Sequence, residues 1–174
     1  MDVFAHALWT AAAAVAARRK WNLPVRPGWA AGWGVAPDLA AFTIPAAVRI
    51  WRLATGASHS LLPDGTGPRF DWVWTVYNAS HSAVLFAVAF GAAWLLLRRP
   101  VWEMLGWALH IQIDIFTHAG IFAIQFLWPI SAIHVDGWRW EAGWLLVANY
   151  TALASVWLLL WMRRRREPRP APPA

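Results

Sequence analysis

LHIQIDIFTHAG (residues 109–120) sets His110, Asp114 and His118 four residues apart inside a long apolar run. The alternation within HIQIDIF fits a strand, whereas the four-residue spacing fits one face of a helix. The surroundings decide between the two. Hydrophobic residues make up 59% of the 174-residue chain and charged residues only 14%, and several apolar runs approach the length of a bilayer crossing. An open strand cannot lie in lipid with its backbone groups unpaired, and no set of similar segments is present to close a barrel. The expectation is therefore an all-α fold, a polytopic membrane bundle of roughly five helices. On a helix, positions i, i+4 and i+8 drift by about 40° per step, so His110, Asp114 and His118 share one face.

Working outward, apolar runs are read at residues 3–17, 28–53, 79–97, 101–118 and 140–162. The first is followed, not preceded, by charge (Arg18, Arg19, Lys20), unlike a cleavable signal peptide. Pro37 is expected to kink or interrupt the second run. Residues 54–72 hold LLPDGTGPRFD and read as an exposed loop. The length bounds the chain to one domain: a membrane unit over 1–162 and a basic, proline-rich, disordered tail over 163–174. Sixteen Trp residues suit a protein with membrane interfaces.

Cysteine is absent, which excludes disulfides, thiolate metal sites and cysteine nucleophiles and leaves His and carboxylates as the strong ligands. The net charge of +6 comes mainly from clusters at the ends of apolar runs, so the sequence reads as a set of topology signals and not as a nucleic-acid surface. Placing Arg18–Lys20, Arg98–Arg99 and the arginines at 163–166 on one cytoplasmic side gives five spans with an external N-terminus and a cytoplasmic C-terminus. Arg49 and Arg52 then snorkel to the outer interface, and Glu103 is expected to pair with the cytoplasmic arginines.

A helix rises about 1.5 Å per residue, which converts sequence distance into depth. His6 and Asp38 each lie roughly 18 Å from their nearest cytoplasmic arginine, and His81 about 25 Å. His110, Asp114 and His118 lie at about 16, 22 and 28 Å. These polar residues from four segments thus share a slab about 12 Å thick, in the outer half of the membrane. Uncompensated burial there is costly, and neutral imidazoles with carboxylates are ligands that Zn²⁺ and related divalent cations accept.

With those residues in hand, the chain resembles the membrane-bound metal-dependent hydrolase family over roughly residues 1–130. The likeness rests on His6 near the start of the first helix, Pro37–Asp38, the His81–Ser82 pair opening a hydrophobic helix, and the run Asp114, Thr117, His118, Gly120. LGWALHIQIDIFTH also looks, more distantly, like the His-x-x-x-Asp run of zinc-dependent phospholipase C and the single-strand nucleases that share its helical fold. The chain departs from the family pattern at Leu39 and Ala40, where a further acidic residue is usual, and at Val76 and Tyr77, where an HR pair is usual. The resemblance implies a hydrolase of the inner membrane that uses a divalent metal, Zn²⁺ foremost, on a phosphoester of a lipid or other membrane-proximal substrate. Its implied ligands are His6, Asp38, His81, His110, Asp114 and His118. Asp38 and Asp114 are the catalytic candidates, and Tyr77, Asn78 and Ser82 the candidates for substrate binding.

Each candidate has a structural alternative. Asp38 can accept backbone N–H groups at a helix restart, and Ser80 and Ser82 can cap a helix. His6 can be an interfacial histidine, and Tyr77 and Asn78 can serve as cap or interface groups. His59 reads as a loop residue, and His134 with Asp136 as a lid or, by preference, a plain turn. Gln112 and Gln125 read as donors behind the ligands or as interhelical hydrogen bonders. Two other functions stay open: a metal-ion carrier or channel, which needs polar residues continuing to the cytoplasmic side, and a structural protein with a closed metal site. Haem fits poorly with interleaved aspartates.

Overall fold

A computed structural model describes residues 1–58 and 70–166. It is all-helical, with no strand among the described residues. The elements are α1 (Val3–Trp21), α2 (Pro27–Ala54), α3 (Trp72–Ser80), α4 (Ala83–Leu97), α5 (Leu105–Thr117) and α6 (Gly143–Arg166), with short 3₁₀ turns at Trp102–Met104 and Gly120–Phe122. His59 and the end of the tail, 167–174, lie outside the described residues, as do 59–69 of the expected loop. The arginines at 163–166, assigned from sequence to the tail, continue α6.

α1 starts where Asp2 accepts the N–H of Ala5 at 3.0 Å, and it ends on Asn22 in the left-handed conformation behind its three basic residues. α2 begins with Pro27, whose fixed φ suits a first turn. It then runs on through Pro37 and Pro45, so the expected interruption is not there. The Pro37 carbonyl accepts from the Ser80 hydroxyl at 3.2 Å, one way a neighbouring segment steadies a proline-bearing turn. The run read as one helix over 79–97 is two helices, α3 and α4, diverging by 61°. Ser82 is extended (φ −89°, ψ 122°) and its Oγ caps Leu85 N at 3.1 Å, which restarts the helix in a new direction.

α2 is the central helix and packs on α1, α3 and α5, while α6 lies along α1. Two glycines permit the close approaches. A Cβ on Gly34 would strike the Thr10 side chain of α1, and one on Gly106 would strike the Ala30 carbonyl of α2. α1 and α6 run parallel, tied by Tyr150 to Asp2 (2.8 Å), Trp9 to Asn149 (2.8 Å) and the Arg19 guanidinium to the Leu160 carbonyl (2.7 Å). The last contact puts two basic clusters at one end of the bundle. Glu103 joins that end to the start of α2, but its carboxylate accepts the backbone N–H of Arg26 at 3.1 Å, so the contact found is to the main chain.

Polar side chains take an unusually large share of the interior. His6, Thr10, His81, Ser82, His110 and Asp114 are fully buried, alongside a few apolar residues such as Tyr77, Ile124 and Leu153. α4 buries no residue, and Val88, Leu95, Leu96 and Leu97 stand exposed on it. By length and composition, α6 is apolar enough to cross a membrane, and α3 with α4 adds a second crossing only as a bent pair. Replacing Gly106→Ala is expected to overpack the α2–α5 contact against backbone, costing about 1–3 kcal/mol. Thermal unfolding of the detergent-solubilised protein should show the lower midpoint.

Candidate metal centre

The local geometry of each ligand follows from its element. His6 sits one turn into α1 and is wholly buried. Asp38 lies inside α2, which removes the capping alternative, because the helix does not restart there. His81 closes α3 at the joint with α4. His110 and Asp114 are one turn apart on the buried face of α5. His118 was expected on that same helical face, but α5 ends at Thr117 and His118 is its extended C-cap (φ −121°, ψ 143°). Its ring still reaches Asp114.

The four predicted histidines converge on the Asp114 carboxylate, with Asp38 beside two of them. His6 Nε2 lies 3.0 Å and His118 Nδ1 3.1 Å from Oδ1, and His110 Nε2 lies 3.1 Å and His81 Nε2 3.6 Å from Oδ2. Asp38 Oδ1 stands 3.5 Å from His81 Nε2 and 3.9 Å from His110 Nε2. Asp38, His81, His110 and Asp114 each offer a ligand atom within 4.8 Å of the others, a His₂Asp₂ group that could hold a metal ion. The amino group of Met1 also enters, 2.6 Å from Asp114 Oδ1 and 3.2 Å from the Thr117 hydroxyl.

Hydrogen bonds behind the ligands fix which ring nitrogen is free. His110 Nδ1 lies 2.7 Å from the Gly34 carbonyl and His81 Nδ1 2.9 Å from the Tyr77 carbonyl. A carbonyl oxygen only accepts, so both rings carry their proton on Nδ1. Their Nε2 atoms, 3.0 Å apart, then present lone pairs to each other, which is repulsive unless a positive charge lies between them. Both His6 nitrogens and Asp114 Oδ2 are buried without a hydrogen bond despite their close neighbours. Of the crowded groups, Asp38, His81, His110 and Asp114 offer atoms close enough to share one ion, and their donor types fit a divalent cation.

The remaining candidates lie around this cluster. Tyr77 is buried against the His81 ring (centroids 4.1 Å apart), with its hydroxyl donating to the Phe122 carbonyl at 2.7 Å. Ser82 caps α4 and donates to the Trp128 carbonyl. Asn78 is half-buried, and its side chain makes no hydrogen bond among the described residues. Gln112 is exposed, on the face of α5 away from the ligands. His134 is exposed.

Sequence reasoning missed what holds His118. Asp136 accepts the Gly120 N–H at 2.9 Å, Gly137 N–H donates to the His118 carbonyl at 2.9 Å, and Trp138 and Trp140 bond Phe116 and Thr117. A Cβ on Gly137 would collide with the Phe116 carbonyl. The segment is thus a strap across the end of α5, more specific than a plain turn. The glycine in VDGW was the one available signal.

Loss of the shared carboxylate should be felt at every ligand. Metal analysis of the purified protein should find bound divalent ion in the wild type and about tenfold less or lower in Asp114→Ala; equal content in the two would refute the centre. Comparison with known proteins finds no matching family model, no similar curated protein and no similar solved structure.

Proposed function

We propose that this chain is a polytopic protein of the bacterial cytoplasmic membrane, a metal-dependent hydrolase acting on a phosphoester of a lipid or another membrane-proximal substrate. The observation that carries this reading is the gathering of four histidines and a second aspartate, from α1, α2, the α3–α4 joint and α5, around the buried Asp114 carboxylate. A divalent ion held there, Zn²⁺ foremost by its ligand types, would supply a nucleophile at neutral pH by lowering the pKa of a water toward about 7 and would polarise a phosphoryl oxygen. The chain's own part is to orient and to exclude water. His81 and His110 are held in one tautomer by backbone carbonyls, Asp38 acts as ligand or takes a proton, and Asn78 offers an uncommitted amide to substrate.

Access is favoured past His118 and Asp38, whose side chains keep slight exposure while those of His6, His81 and His110 have none. A lipid substrate is supported by an apolar groove of about 170 Å³. It runs from Thr10, whose hydroxyl bonds the His6 carbonyl, past Ala14 and Leu109 to Trp21 and Trp102 at the basic end. Such a lining takes an alkyl chain. The same groove weighs against an ion carrier, which needs polar groups continuing along that route.

Two measurements test the proposal. The purified protein should turn over phosphodiester probes but not carboxylester probes, with activity abolished by a chelator and restored by Zn²⁺; turnover of carboxylesters alone would reverse the assignment. The cysteine-free chain also suits single-cysteine labelling. An impermeant maleimide should reach Ala132→Cys in intact cells and Arg99→Cys only after permeabilisation, and the opposite pattern would invert the topology.

A further inference from the structure

The apolar groove beside α1 has a definite length and one charged end. Its limits on α1, Thr10 and Trp21, lie about 16 Å apart along the helix. That matches the roughly 15 Å taken by the chains of one leaflet in a hydrocarbon core about 30 Å thick. No charged side chain lines the groove, and the Thr10 hydroxyl is spent on the His6 carbonyl at 2.7 Å. Of the lining residues, Ala13 and Leu105 are exposed while Ala14, Ala30 and Gly106 are buried, so the groove is open along its side.

The charge gathers at the Trp21 end. Arg18 stands one turn from both Ala14 and Trp21 on α1, Arg26 follows Val25, and the Lys20 ammonium sits 5.0 Å over the Trp21 ring. Arg18, Lys20 and Arg26 are exposed and form no ion pair among the described residues. The carboxylate nearest in the chain to this lining, Glu103 after Trp102, accepts the Arg26 backbone N–H at 3.1 Å. Trp21 and Trp102 flank the same end, where indole rings suit the level of lipid headgroups.

We propose that the groove seats one anionic phospholipid of the cytoplasmic leaflet, its acyl chain lying along α1 from Trp21 to Thr10 and its phosphate held by Arg18, Lys20 and Arg26. The inference rests on the membrane part of the reading above and not on hydrolysis. Cations in excess over carboxylate favour an anionic headgroup over a zwitterionic one, and the cytoplasmic leaflet is where anionic lipid attracts juxtamembrane Lys and Arg. A chain that leaves bilayer hydrocarbon for the groove exchanges one apolar medium for another. The headgroup therefore selects the class of lipid, and the groove fixes its place. Lipid is thereby brought beside the metal centre, but the phosphate of this one stands about 18 Å from His6 along α1. It is held and not cleaved, and the phosphoester that is cleaved arrives past His118 and Asp38.

Lipid binding tests this apart from turnover. Full-length protein in detergent should take up one phosphatidylglycerol per chain, intact by native mass spectrometry, and hold it about fivefold or more tightly than phosphatidylcholine with the same chains. Arg18→Gln combined with Arg26→Gln should bring the two lipids close to equal. Ala13→Trp, at an exposed lining position, should cut retention of both by about tenfold. Equal affinity of the unaltered protein for the two lipids would overturn the proposal, and so would a bound lipid that has lost its headgroup. Displacement by glycerol phosphate at equal concentration would reduce the site to a surface patch for anions. A dimer carrying no lipid would give the groove to a second copy, and either result would sink the assignment. Lipid retained with no hydrolysis of any probe would refute the hydrolase alone. Hydrolysis by a protein that retains no lipid would refute this inference alone.

Discussion

A carboxylate with no solvent contact, Asp114, is the constraint around which this bundle is arranged. An ionised group in such a position is tolerated only when compensated, and the groups that neighbouring helices gather around it form a donor set that a bound cation would complete. α1 brings His6, α2 brings Asp38, the joint after α3 brings His81, and α5 supplies His110 from its own face. These side chains are short, so the backbones must approach closely. Gly34 and Gly106 allow it, with Thr10 and the Ala30 carbonyl filling the space that a side chain would have taken.

Little apolar surface is left to do this work. The buried apolar clusters are small, one around Tyr77, Ala41, Ile111 and Ile124 and another around Ala14, Val25 and Ala30. On the membrane reading that is the expected economy, because lipid tails are as apolar as leucine and helix association relies on close packing and polar contacts. The exposed leucines of α4 and the buried histidines are then two sides of the same arrangement.

The cluster was legible because residues at like distances along neighbouring helices come to like heights in the bundle. Counting residues from the basic clusters puts His6, Asp38, His81, His110, Asp114 and His118 in one slab, and Arg19 on Leu160 and Glu103 on Arg26 bring basic segments together at one end of the bundle. What was not legible depends on contacts far apart in the chain. NASHS (78–82) carries a helix-start signal, but nothing local says that a helix also ends there, since the turn is completed by Ala83 N–H bonding the Phe126 carbonyl at 2.8 Å. His118 leaves the helix because residues 136–140 pair with the end of α5, a match between segments that no periodicity reports. Which oxygen of Asp114 each imidazole faces is likewise a matter of angle and not of spacing.

His81 is both a member of the group that could hold a metal ion and the residue at the joint between α3 and α4. Were an ion bound there, its occupancy and the 61° elbow would be thermodynamically linked through that imidazole. α4 presents its leucines to its surroundings with nothing buried, so the lever is in direct touch with the medium around the protein.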